Sequence, residues 1–78
     1  MWIRTQDNYE IVRVDAVFAA NPDHLDIIAY KPGTIDRTYY LGRYKTEAEA
    51  LAVLDRIQKA IERMDEVFVM PEQGFLKQ

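Results

Sequence analysis

The sequence has no cysteine and no serine, and its single histidine is His24. The lack of cysteine excludes disulfide bonds and thiolate metal sites. The commonest catalytic nucleophiles are also missing, and a lone histidine in a Pro-Asp-His turn is more often a solvated residue than a general base. We therefore expect a protein that is not an enzyme and that holds no metal and no cofactor.

Long apolar runs and an excess of positive charge are missing as well. No run approaches the ~20 apolar residues that span a bilayer, and the first residues lack the pattern of a signal peptide. Ten basic residues stand against thirteen acidic ones, for a net charge of −3. We expect a cytoplasmic protein without membrane contact and without general nucleic-acid binding, which needs clustered positive charge. Six of the ten basic residues are arginine, which suits bidentate anion contacts.

The composition predicts one small folded domain. The chain has 78 residues, of which 49% are apolar, enough for a core but not for a large one. We expect a single α+β domain over residues 1–71 and a C-terminal tail or docking arm over residues 72–78. Small domains without covalent staples often gain stability by association, so a homo-oligomer is expected.

Four β-favouring runs precede residue 45. They cover residues 2–5, 9–20, 25–30 and 38–44 and are separated by turn-forming residues at 6–8, 21–24 and 31–34. In the second run, alternation predicts one face made of Val12, Val14, Ala16 and Phe18. In the fourth run, the predicted faces are Tyr39, Leu41 and Arg43 against Tyr40, Gly42 and Tyr44. Gly42 indicates a bulge or the close approach of another group.

One amphipathic helix is predicted from Glu47 to about Met64. Thr46 followed by Glu49 fits a capping box at its start. The apolar stripe consists of Ala50, Leu51, Leu54, Ile57, Ile61 and Met64. A short strand at residues 67–70 follows and ends at Pro71. The expected fold is a four-stranded antiparallel meander with this helix on one face, in the order ββββαβ. Trp2 is expected in the core, with a subunit contact as the alternative, and the other face of the sheet is expected to be open or covered by another copy.

Acidic clusters favour structural interpretations over catalytic or metal-binding ones. Asp23, His24 and Asp26 are close in sequence, but no second group completes a metal site. Glu47 and Glu49 lie where a helix dipole favours negative charge. Asp65 follows the helix, where solvated charges are common.

A cluster of arginine and tyrosine is the strongest candidate site. Its members are Arg13, Arg37, Tyr39, Arg43 and Tyr44, and Arg4 could share a face with some of them. Arginines among aromatic rings can clamp a nucleotide by stacking on the base and forking onto phosphate. In the alternative interpretation, the tyrosines are half-buried strand residues and the arginines pair with Asp15, Asp26 or Asp36.

Four phrases, taken in order, carry a resemblance to a known group of proteins. They are Met-Trp-Ile-Arg-Thr-Gln-Asp at 1–7, Leu-Gly-Arg-Tyr-Lys-Thr-Glu at 41–47, the Ala-Leu, Val-Leu-Asp and Ile-Gln pieces within 50–58, and Val-Phe-Val-Met-Pro at 67–71. The pattern resembles small proteins of Gram-positive bacteria, their phages and mobile elements. Some such phage proteins are similar to the Thoeris anti-defence sponges, non-enzymatic oligomers that sequester cyclic-nucleotide immune signals. The resemblance implies a ligand pocket between protomers, gripped by arginine and aromatic residues, but assigns no residue of this chain to it.

Three functions stand as hypotheses from the sequence. The first is a non-catalytic binding module of phage or mobile-element type that sequesters a nucleotide-like signal. The second is a protein-interaction module that caps or inhibits a host protein, through the acidic helix face or an open sheet edge. The third is an enzyme on a small substrate, against which the missing nucleophiles and the lone turn histidine count heavily. A purely structural protein is a further alternative.

Overall fold

A computed structural model describes residues 1–76 and shows an α+β fold with one helix and two small sheets. The elements are β1 (Trp2–Arg4), β2 (Ile11–Arg13), β3 (Val17–Ala20), β4 (Asp26–Tyr30), β5 (Thr38–Arg43), α1 (Glu47–Glu62) and β6 (Val67–Val69). One sheet has the strand order β2-β1-β6 and the other has the order β3-β4-β5. The predicted α+β class is confirmed, while the single four-stranded meander in the order ββββαβ matches only in part.

The first hairpin forms as predicted. β1 and β2 pair antiparallel, and Asn8 in the intervening turn has a positive φ of 69°. The Asp7 carboxylate accepts hydrogen bonds from the Thr5 hydroxyl at 2.7 Å and from the Tyr9 amide at 2.9 Å. These bonds let the side chain replace a backbone partner in the turn, which is why Asp and Asn favour this position.

The second predicted strand, residues 9–20, is in fact two strands in different sheets. The ladder with β1 ends after Arg13, and the chain crosses to the other sheet through Asp15 and Ala16, both exposed. This crossing shifts the alternation by one residue, so Val17, rather than the expected Phe18, packs against the core. A one-residue shift exchanges the two faces of a strand, so the predicted face was wrong beyond Val14.

The β3-β4-β5 sheet is an antiparallel meander. Ile27 and Ala29 in β4 are completely buried, as the alternation predicts. A register shift opposite residues 27 and 28 of β4 interrupts the alternation of β5. Beyond it Tyr44 is buried and Arg43 is exposed, so the predicted face shared by Tyr39, Leu41 and Arg43 does not hold past Leu41.

The helix begins where the sequence predicts. The Thr46 hydroxyl accepts the Glu49 amide at 3.1 Å. The Glu49 carboxylate accepts the Lys45 amide at 3.2 Å. The helix ends at Glu62 rather than Met64, because Met64 has a positive φ of 62° and its amide donates back to the Ile61 carbonyl. No described helix is long and apolar enough to cross a membrane.

The buried face of α1 differs from the predicted stripe. Ala50, Val53, Ile57 and Ala60 are buried, whereas Leu51, Ile61 and Met64 are 48%, 59% and 87% exposed. Ala50 and Ile57 are thus buried as predicted and Leu54 packs against the core, but Val53 and Ala60 take the places expected for Leu51, Ile61 and Met64.

The core lies between α1 and the inner faces of the two sheets. Its largest fully buried side chains are Tyr44, Ile3, Ile27, Leu41 and Val53. Trp2, expected in this core, is instead 47% exposed, because in β1 the inward position is taken by Ile3 and the neighbouring side chains point to the opposite face.

The described part of the segment after β6 packs back against the rest of the chain. Tyr44 donates its hydroxyl to the Pro71 carbonyl at 2.7 Å, and the Gly74 amide donates to the Glu49 carboxylate at 2.9 Å. The Phe75 ring packs edge-on against Tyr44, with centroids 5.8 Å apart. The final two residues of the predicted tail or docking arm, 77 and 78, lie outside the described residues.

Candidate functional site

The turn between β4 and β5 brings two cationic residues to the same edge. The Lys31 amide donates to the Arg37 carbonyl at 2.9 Å and thereby closes the loop between them. Gly33 has a φ of 78°, and the Thr34 amide donates to the Lys31 carbonyl at 3.1 Å. The turn predicted at residues 31–34 is therefore confirmed, and its Gly33 supplies the positive φ that the third position of a type II turn requires.

The β1–β2 hairpin supplies the facing wall. Trp2 lies directly opposite Arg13 in the antiparallel register, so the indole ring and the guanidinium stand side by side on the outer face of the sheet. Both side chains are exposed.

The β1–β2 hairpin and the β4–β5 turn form the two sides of an open groove of about 510 Å³. It is lined by Trp2, Ile11, Val12 and Arg13 on one side and by Lys31, Pro32, Thr34, Arg37 and Tyr39 on the other. Three cationic side chains, those of Arg13, Lys31 and Arg37, therefore converge here. Within residues 1–76, no carboxylate oxygen lies within 4.0 Å of their charged nitrogens. We call this feature the cationic groove.

Aromatic rings line the same groove. The Lys31 ammonium stands 5.0 Å from the centroid of the Tyr39 ring, a cation–π contact. Trp2 presents its indole from the opposite wall. Unpaired cations next to ring faces can hold a ligand that combines negative charge with a flat ring, such as a nucleotide.

Arg43 lies outside the groove and is already paired. Its guanidinium donates to Asp26 at 2.9 Å and to Asp23 at 3.2 Å. These hydrogen bonds raise the pKa of Arg43 above its ordinary value, and the bond to Asp26 contributes most. Arg43 therefore fits the alternative interpretation of the sequence, in which the arginines pair with aspartates.

Tyr44 also lies outside the groove, within the core. Burial, together with the nearby negative charge of Glu49, raises the pKa of its hydroxyl well above the ordinary value of 10.0. The hydroxyl is committed to the Pro71 carbonyl. Of the five candidate residues, the structure thus brings together Arg13, Arg37 and Tyr39 and places Arg43 and Tyr44 elsewhere.

Among the charged and aromatic residues that line the groove, sequence reasoning missed Trp2 and Lys31. The signal for Trp2 was partial, since a hairpin that turns at residues 6–8 brings residue 2 near residues 12 and 13 but does not fix which of the two it faces. Lys31 precedes the Pro-Gly turn and leads into the same connection as Arg37, but no local pattern indicates that their backbones are paired.

A hollow of about 430 Å³ on the outer face of α1 is a weaker candidate. It is lined by Ala52, Asp55, Arg56, Gln58, Lys59 and Glu62. It carries two acidic and two basic side chains, so it favours neither anions nor cations. Within residues 1–76, no group of three or more acidic or histidine side chains could hold a metal ion.

Comparisons with known proteins add no assignment. No family model, curated protein or solved structure matches the chain.

Proposed function

We propose that this chain is a non-catalytic binding module that holds a phosphate-bearing, nucleotide-like ligand in the cationic groove. The observation that carries the proposal is the convergence of Arg13, Lys31 and Arg37, without carboxylate partners in the described chain, on a groove with two aromatic rings. A chain of net charge −3 has concentrated unpaired cations at this place. Such a site favours multiply charged anions with a flat ring.

The resemblance to phage and mobile-element proteins supports a more specific form of the proposal. In that form the ligand is a cyclic-nucleotide immune signal, and binding alone removes it from its receptor. The groove is open on one side, which leaves room for a second protomer, and the homo-oligomer remains a prediction.

Binding is tested by calorimetry, with Trp2 as a fluorescent reporter. Trp2 is the only tryptophan and lines the groove, so ligand binding should change its emission. The panel contains cyclic di- and trinucleotides, cyclic ADP-ribose variants and inorganic phosphate. Charged hydrogen bonds contribute about 1.5–3 kcal/mol each, so we expect Arg13→Gln or Arg37→Gln to weaken the affinity at least tenfold.

Arg43→Gln is the matched control. It removes the same charge from a residue that lies outside the groove and pairs with Asp23 and Asp26. We expect it to bind the ligand like the wild type. Absence of heat and of a fluorescence change with every nucleotide, or an equal loss in all three variants, would refute the proposal.

A further inference from the structure

The outer face of the β2-β1-β6 sheet carries a distinctive set of side chains. The register places Arg13, Trp2 and Val67 in one row across the three strands. It places Ile11, Arg4 and Val69 in the next row. These six residues form what we call the cationic sheet face. It contains four apolar side chains, two arginines and no acidic residue.

This face is uncovered within residues 1–76. Trp2, Ile11, Val67 and Val69 are 47%, 52%, 46% and 56% exposed. The residues between them in the strands point to the core, where Ile3 is completely buried. Single exposed apolar residues are ordinary on a protein surface, but contiguous ones mark an interaction site.

The charges on the face are unpaired. No carboxylate lies within 4.0 Å of the guanidinium groups of Arg4 and Arg13 in the described part of the chain. Arg4 instead donates to the Asn8 carbonyl, at 3.1 and 3.3 Å, which holds its charge beside β1. An occupant that neutralises this face must bring its own anionic groups.

A second copy of this chain fits the face poorly. A two-fold contact through one patch sets the patch against itself, so it would bring Arg4 and Arg13 of both copies together. Like charges in a desolvated interface oppose association. The complementary occupant is therefore acidic.

We infer that the cationic sheet face docks an acidic amphipathic helix of a partner protein. A sheet face is commonly covered by a helix, as α1 covers the core side here, and an apolar helix stripe matches the four apolar side chains. Glutamates beside that stripe would pair with Arg4 and Arg13 as charge-assisted hydrogen bonds. The inference goes beyond nucleotide binding, since Arg4, Val67 and Val69 do not line the cationic groove.

The test uses a synthetic helical peptide in which leucine recurs at helical spacing and glutamate fills the other positions. Binding is followed by Trp2 emission and by calorimetry on the full chain. We expect the peptide to bind, with weaker affinity at higher salt, and a peptide with lysine in place of glutamate not to bind. The double substitution Val67→Thr/Val69→Thr should weaken binding about tenfold, because the contact then buries less apolar surface. Threonine keeps the strand propensity of valine, so β6 should still form.

Ile35→Thr is the control, because Ile35 is 89% exposed and lies outside the face. Lys31→Gln/Arg37→Gln should lose nucleotide binding and keep peptide binding, so the two proposals can fail separately. Equal binding of the lysine peptide, no binding of either peptide, or unchanged affinity after the valine substitutions would overturn the inference. It would also be overturned if the valine substitutions abolished self-association, measured by sedimentation, or binding to anionic phospholipid vesicles.

Discussion

Of the three glycines, Gly42 is the one at which an added Cβ would meet a close neighbour. A Cβ at this position would lie 2.9 Å from the Cβ of Gln6, closer than real Cβ contacts come. The approach is fixed because the Gln6 side chain accepts the Arg43 amide at 2.9 Å and donates to the Arg43 carbonyl at 3.0 Å. Gln6 thereby pairs with β5 much as a neighbouring strand would.

We predict that Gly42→Ala destabilises the fold by about 1–3 kcal/mol, because the added methyl group overpacks this contact. The measurement is the free energy of unfolding in urea. Gly33→Ala is the control, since its Cβ would meet nothing within 4 Å and its cost comes from the positive φ alone, about 1 kcal/mol. A Gly42→Ala protein as stable as the wild type would contradict the steric explanation.

Asp23 gives a prediction about acid titration. Its pKa lies below the ordinary value of 3.8, chiefly because its carboxylate accepts the Leu25 amide, with a smaller part from Arg43. A carboxylate whose pKa is lower in the folded state than in the unfolded state stabilises the fold at pH values above its unfolded-state pKa. This contribution is lost as the pH falls through the folded-state pKa.

We expect Arg43→Gln to leave the Asp23 pKa below 3.8, because the Leu25 amide stays in place. The measurement is a carbon NMR titration of the side-chain carboxylate in the wild type and the variant. A return of the Asp23 pKa to its ordinary value would show that the Arg43 guanidinium, rather than the Leu25 amide, lowers the Asp23 pKa.

At the scale of elements, the start of α1 could be predicted, and its buried face only in part. The capping residues Thr46 and Glu49 act locally, so their pattern is visible in the sequence. Which face is buried depends on how closely the sheets approach. Val53 and Ala60 face the core here while Leu51 remains exposed, and the apolar periodicity of the sequence did not show that preference.

The end of α1 carries an unusual residue. The Asp65 amide donates to the Ala60 carbonyl and the Met64 amide to the Ile61 carbonyl, each at 3.0 Å, which is the Schellman pattern. The left-handed residue of this motif is usually glycine. Here it is Met64, with its side chain 87% exposed.

We predict that Met64→Gly stabilises the fold by about 1 kcal/mol, because glycine adopts a positive φ without steric cost. Met64→Ala is the matched control, since it removes the long side chain and keeps the Cβ. Thermal melting of the three proteins should therefore rank the glycine variant highest. An alanine variant equal to the glycine variant would mean that the side chain, not the backbone, is the source of the strain.

At the scale of the whole molecule, local patterns predicted the class and the hairpins but not the division into two sheets. Alternation is satisfied on both sides of Asp15 and Ala16, so the sequence shows no break where the chain changes sheet. The parallel pairing of β1 with β6 joins distant residues and leaves no local signal.

The candidate site shows the same limit. Arg13, Arg37 and Tyr39 could be grouped from the sequence by residue type and strand position, and the structure places all three in the cationic groove. Arg43 and Tyr44 look equivalent in the sequence, but the register shift in β5 turns one toward Asp26 and the other into the core.

The parallel pairing of β1 with β6 has a consequence for synthesis of the chain. Translation adds about 5–20 residues per second, and β6 leaves the ribosome long after β1. Until then β1 lacks its partner on the edge that β6 fills in the complete fold. A ribosome stalled before Val67 therefore exposes a strand that the finished protein keeps paired, and such a truncated product is the form most open to aggregation or to capture by chaperones.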